Sequence, residues 1–194
     1  MRRLLLLSSN LFVLGVVLFL PASATEKPPR EVLQTFCESD AQGKRLTLEG
    51  RKELAGLFTQ PDSASQEQII VVRDFVVSLP AITQDRAEFY VEYIYLAQLD
   101  PMSLRLSRVP GQPPTPIKVR DGFNLALLTK DSIASAQSAP NNRSSWRIIG
   151  APPAPHITPA TAIRYVTDLR DRTKDESIRK NANETLRRLR RYVK

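Results

Sequence analysis

The chain has 194 residues, 42% of them hydrophobic, a formal net charge of +8 and a single cysteine. That length is enough for one domain with a substantial core, and fifteen prolines against seven glycines fall short of the Pro-plus-Gly share of a disordered chain. One cysteine excludes an internal disulfide.

The first residues stand apart from that domain. Arg2 and Arg3 precede an apolar run over 4–20, Pro21 breaks it, and Ala22-Ser23-Ala24 supplies the small residues of a cleavage site. The expected reading is a signal peptide over 1–24, cleaved near Ala24, with export to the periplasm or the medium. The alternative is a membrane anchor over 4–20, since the run approaches spanning length. The mature chain then divides into an α+β domain over 25–157 and a basic helix pair over 158–194.

In chain order, residues 30–40 are expected as a helix with Val32, Leu33, Phe36 and Cys37 on one stripe, stopped near Gly43. Thr47 caps a second helix with Glu49 in its first turn and Leu54, Leu57 and Phe58 inward. A polar connection over 62–67 leads into two long strands, 69–79 and 87–96, dense in β-branched and aromatic residues. With the turn centred between Ile82 and Thr83, Arg73 lies opposite Glu92, Phe75 opposite Tyr90 and Val71 opposite Ile94. On the other face Val76 meets Phe89, Val72 meets Tyr93 and Ile70 meets Tyr95. Val72, Val76, Phe89 and Tyr93 are the expected core side, with Asp74 the one polar residue among them.

Further on come a short strand over 104–106, a Pro-rich loop over 109–116 and a strand over 123–128. A polar loop over 132–145, a strand over 146–149 and an extended Pro-rich crossing over 151–155 follow. Thr158 with Pro159 starts a helix that runs to about Arg172. Thr173-Lys174-Asp175-Glu176 fits a capping box for a last helix, whose apolar positions are Ile178, Ala182, Leu186 and Leu189. Residues 164–194 hold eleven Lys/Arg against five Asp/Glu, and the rest of the mature chain is charge-balanced.

Two helices, a long hairpin, further strands and a closing Trp-bearing strand resemble the nuclear transport factor 2-like family, the cone-shaped fold shared with ketosteroid isomerase-like proteins. The residues carrying the resemblance are Phe36, Asp40-x-x-Gly43, Leu46-Thr47, Leu57-Phe58, the hairpin over 71–95, and Trp146-Arg147-Ile148. It implies α+β architecture, with N-terminal helices packed on a curved antiparallel sheet around a pocket, and leaves the C-terminal helices as an appendage. Some members are enzymes with Asp, Tyr or His in that pocket, and many others bind ligands or proteins without chemistry. No catalytic set carries over residue by residue.

Among candidate site residues, Asp74 is the best catalytic carboxylate, because a charge on an apolar face must be paired, solvated or neutralised. Tyr93 is its candidate phenol, and Tyr90, Tyr93 and Tyr95 are candidate ligand contacts. Arg187, Arg188, Arg190 and Arg191 are candidates for docking to an anionic envelope surface or an acidic protein. Nucleic acid is disfavoured by the export signal, and a homodimer is left open. His156, the lone histidine, is expected in a surface or packing role on a loop, and Cys37 as a small hydrophobe. No zinc signature, phosphate loop or nucleophile elbow is present, so no metal or cofactor is expected. The preferred reading is a non-enzymatic exported binding module; the alternative is an isomerase- or dehydratase-type enzyme using a pocket carboxylate and tyrosine.

Overall fold

The computed structural model describes residues 27–60, 67–107, 116–128 and 145–193. The leader over 1–24 lies outside the described residues, as do the loops anticipated at 62–67, 109–116 and 132–145 apart from the last residue of each. No helix among the described residues is long and apolar enough to cross a membrane.

Helix α1 (Pro29–Ala41) begins with a proline in its first turn, where no backbone donor is lost, and places Glu31 against the positive end of its dipole. Gly43, at φ +84°, turns the chain out of the helix, and a Cβ there would lie 2.7 Å from Thr161 Cγ2. Helix α2 (Leu48–Leu54) is capped by Thr47, whose hydroxyl accepts from the Gly50 backbone N–H at 3.1 Å.

Among the described residues, seven strands make one curled sheet that forms a half-barrel. They are β1 (Ile69–Val77), β2 (Ala81–Thr83), β3 (Arg86–Asp100), β4 (Arg105–Ser107), β5 (Ile117–Leu128), β6 (Ser145–Ile148) and β7 (His156–Ile157). The order is β6-β5-β3-β1-β7, with β2 and β4 also pairing to β3. All pairs are antiparallel except β1 with β7. The architecture is thus α+β and cone-like, with helices on a curved sheet and a helical pair at the C-terminus.

The hairpin register differs from the expectation. Thr83 pairs with Arg86, so the tight turn is Gln84-Asp85, two residues beyond the anticipated centre. Phe75 therefore faces Tyr93, Val76 faces Glu92 and Val72 faces Tyr95. Two compensating bulges interrupt the ladder, one placing Leu96 as an extra residue on β3 and one lodging an extra residue at Arg73-Asp74 on β1. Alternation is broken there, which removes Val76 from the expected core face: Val76 is 62% exposed, whereas Val72, Phe89 and Tyr93 are buried as expected. Asp74 is exposed rather than enclosed, its Oδ1 accepting from the Phe75 backbone N–H at 2.8 Å.

The bulges let the sheet serve two cores. Val72, Val77, Phe89, Val91, Tyr93, Phe123 and Leu125 pack with Leu33, Phe36, Cys37 and Phe58 beneath α1 and α2. Ile69, Val71, Ala97 and Leu99 instead join Ile157, Val166, Ala182, Leu186 and Leu189 in a second cluster. That second cluster seats helices α3 (Pro159–Arg172) and α4 (Glu176–Leu189). Thr158 caps α3 as anticipated, accepting from Thr161 N–H at 3.2 Å. For α4 the cap is Asp175, which accepts from Ser177 and Ile178 N–H, and not a Thr173 capping box. Thr185 ties α4 to the sheet, accepting from Leu106 N–H at 3.1 Å and donating to Leu104 O at 2.8 Å.

Candidate functional site

Three elements bring polar side chains to one end of the first core. Asp40 is on the last turn of α1, Arg45 on the turn after Gly43, and His156 on β7, which the Pro-rich crossing delivers alongside β1. Tyr93, Tyr95 and Asp121 come from β3 and β5, where Asp121 lies opposite Val91 in inward register with Phe123.

Asp40 and Arg45 form a buried ion pair at 3.3 Å, with side chains 1% and 0% exposed. The Arg45 guanidinium also donates to Ala154 O at 3.2 Å and Pro152 O at 2.7 Å, pinning the Pro-rich crossing to α1. The second function of Asp40 is to hold β7, its Oδ2 accepting from the His156 backbone N–H at 3.0 Å. The His156 ring stacks on Tyr93, centroids 4.3 Å apart and planes 10° apart. Its Nε2 is 2.7 Å from the Tyr95 hydroxyl, which lies 3.5 Å from Asp121 Oδ2. Asp40 Oδ1 and His156 Nδ1 are buried without a hydrogen-bond partner. His156 is therefore neither a surface residue nor a loop residue: it is 3% exposed, on a strand, between two carboxylates.

Tyr95, Asp121 and His156 form one polar wall of a cavity of about 490 Å³ whose other lining residues include Gln68, Ile70, Phe123 and Ala154. That size is within the usual range for small-molecule sites. The Asp121 side chain is 33% exposed and supplies the accessible charge.

Of the residues proposed from sequence, Tyr93 and Tyr95 enter this constellation, Tyr93 as a buried support and Tyr95 at the cavity wall. Tyr90 is 50% exposed, with the Arg120 guanidinium stacked 4.3 Å above its ring. Asp74 is not part of the cavity wall, because the bulge carries it into solvent. At the basic end, Arg187 is paired with Glu184 at 2.7 Å and Arg188 donates to Leu106 O, while Arg190 and Arg191 are exposed. Sequence reasoning passed over Asp121 and Arg45 and left Asp40 without a role. A signal existed for both carboxylates: Asp40 continues the Phe36/Cys37 stripe, and Asp121 shares the alternation of Val119, Phe123 and Leu125. Among the described residues, no group of three or more His, Cys, Asp or Glu is placed to hold a metal ion.

Burial sets the acid chemistry of the support. It pushes the Cys37 thiol, 3.7 Å from the Tyr93 hydroxyl, from 9.0 up to about 12. Burial likewise raises the Tyr93 and Tyr95 phenols above their ordinary 10.0. All three groups are neutral when protonated, so the folded chain retains protons that the unfolded chain releases. Stability is then full below about pH 9 and falls as pH rises through the range 9 to 12. Equilibrium unfolding at stepped pH should show this alkaline limb, flattened in Tyr93→Phe, and native Cys37 should react with thiol reagents far more slowly than in denaturant. A stability profile flat to pH 11, or equal thiol rates, would contradict the burial described.

Comparison with protein families, with curated proteins and with solved structures found no match to this chain.

Proposed function

We propose that the chain is an exported, non-enzymatic module of nuclear transport factor 2-like type that binds a small ligand. The observation that carries this reading is the 490 Å³ cavity with Tyr95, Asp121 and His156 converging on one wall. An apolar cavity with a few convergent polar groups is the usual anatomy of a ligand site. The ion pair behind it holds Asp40 and the crossing in place, so the wall is pre-organised and ordering it on binding costs little. The test is a fragment library screened by amide chemical shifts. Binding fragments should move Tyr95, Gly122 and Gly150 together; shifts scattered over the surface, or none, would refute a cavity ligand.

A second reading is an acid–base enzyme of isomerase or dehydratase type. It is favoured by the contact of Tyr95 with both His156 and Asp121, which would make Tyr95 and Asp121, in place of Tyr93 and Asp74, the pocket phenol and carboxylate. The basic C-terminal helix adds docking to an anionic envelope surface, carried chiefly by Arg190 and Arg191, because Arg187 and Arg188 already have protein partners. Arg190→Gln/Arg191→Gln should then weaken binding to anionic vesicles at low salt, an effect lost at high salt. Equal binding of both proteins at low salt would remove the docking role.

A further inference from the structure

We infer that the cavity selects an organic ammonium group, a small primary amine with an apolar body; this rests on the reading of the cavity as a ligand site. The charges and acceptors at the wall point to that cation. Asp40 is neutralised by Arg45 at 3.3 Å, with both side chains buried and away from the cavity lining. Among the described residues Asp121 has no lysine or arginine partner. An ionised carboxylate offers about four acceptor positions, and Asp121 fills one of them with a long 3.5 Å bond from the Tyr95 hydroxyl. His156 Nε2 is 3.8 Å away and is itself engaged by Tyr95 at 2.7 Å. Among the described residues lining the cavity there is no lysine or arginine.

What would complete this wall is a donor carrying positive charge. An ammonium can give Asp121 a charge-assisted hydrogen bond and still donate to neighbouring oxygens. Tyr95 and Phe123 add aromatic surface, which attracts a cation, and Ile70 and Ala154 provide apolar walls for the ligand's body. An anion is disfavoured by the same carboxylate. A calcium ion is disfavoured because the Asp121 carboxylate, the Tyr95 phenol and the Gln68 amide fall short of the six to eight oxygens that it gathers, and among the described residues no group of three or more His, Cys, Asp or Glu is placed to hold a metal.

The experiment compares three probes of one shape, benzylammonium, benzyl alcohol and benzoate, titrated at pH 7.5 into the full mature chain and followed by amide shifts at Tyr95, Gly122 and Gly150. Benzylammonium should bind about tenfold or more tighter than benzyl alcohol, and benzoate weakest of all. In Asp121→Asn the ammonium-to-alcohol ratio should collapse to about one. If that variant does not fold, the order of the three probes on the parent decides alone. Equal affinities, benzoate binding best, or a ratio that survives Asp121→Asn would overturn the inference while leaving a cavity ligand in place. Failure of all three probes to shift these amides would overturn it together with the ligand-site reading.

Discussion

Arg45→Met is expected to destabilise the fold by about 3–5 kcal/mol, because it strands a buried carboxylate. Asp40 is 1% exposed, and without Arg45 the His156 backbone N–H remains to satisfy its Oδ2. Pro152 O and Ala154 O lose the same guanidinium, so the crossing that presents the cavity wall loosens at the same stroke. Such a loss is a large fraction of the about 5–15 kcal/mol that holds an ordinary domain together. Pairing the change with Asp40→Leu removes the stranded charge, so the double variant should be more stable than Arg45→Met alone. Denaturant titrations of the cycle should give a coupling of about 1–3 kcal/mol. Strict additivity would show that the two residues do not act as a pair.

Phe89→Asp should abolish cooperative folding, and Val76→Asp should not. Phe89 is 1% exposed in the first core, so the change forfeits about 3–5 kcal/mol of packing and adds an unpaired buried charge. Val76 lies 62% exposed, opposite Glu92. An aspartate there costs about 1 kcal/mol or less, mainly from like charges facing across the ladder. Thermal unfolding separates the two variants. Loss of the transition in Val76→Asp would restore the unbroken alternation that the sequence suggested and contradict the bulges.

That contrast shows where sequence reasoning reaches and where it stops. Helix α1, the Thr47 cap and the Thr158-Pro159 start of α3 are written in local signals, apolar spacing and capping chemistry, and all stand where those signals put them. Helices seated on a curved sheet followed from the resemblance to the nuclear transport factor 2-like family and not from those local signals. The register was not, because a shift of one residue flips a whole strand, and two opposed bulges are visible only through the partner strand. Strand β7 escaped notice because two residues beside β1 carry no periodic pattern.

The site shows the same limit more sharply. His156 looked isolated because its partners are remote in the chain: Tyr95 is 61 residues away and Asp40 is 116. Only the fold joins them. Tyr95 was legible as a pocket aromatic, since it sits in an aromatic strand; its bond to His156 was not. Asp74 drew attention through a pattern that the β1 bulge cancels, while Asp121 kept its place in an unbroken alternation on β5 and reached the cavity.

The most direct measurement of the central claim is a crystal structure of residues 25–194 soaked in a mixture of small fragments. The account predicts fragment density inside the cavity, within hydrogen-bond distance of Asp121 or the Tyr95 hydroxyl, with His156 still stacked on Tyr93. A cavity closed by protein side chains, or fragments bound only elsewhere on the surface, would contradict it.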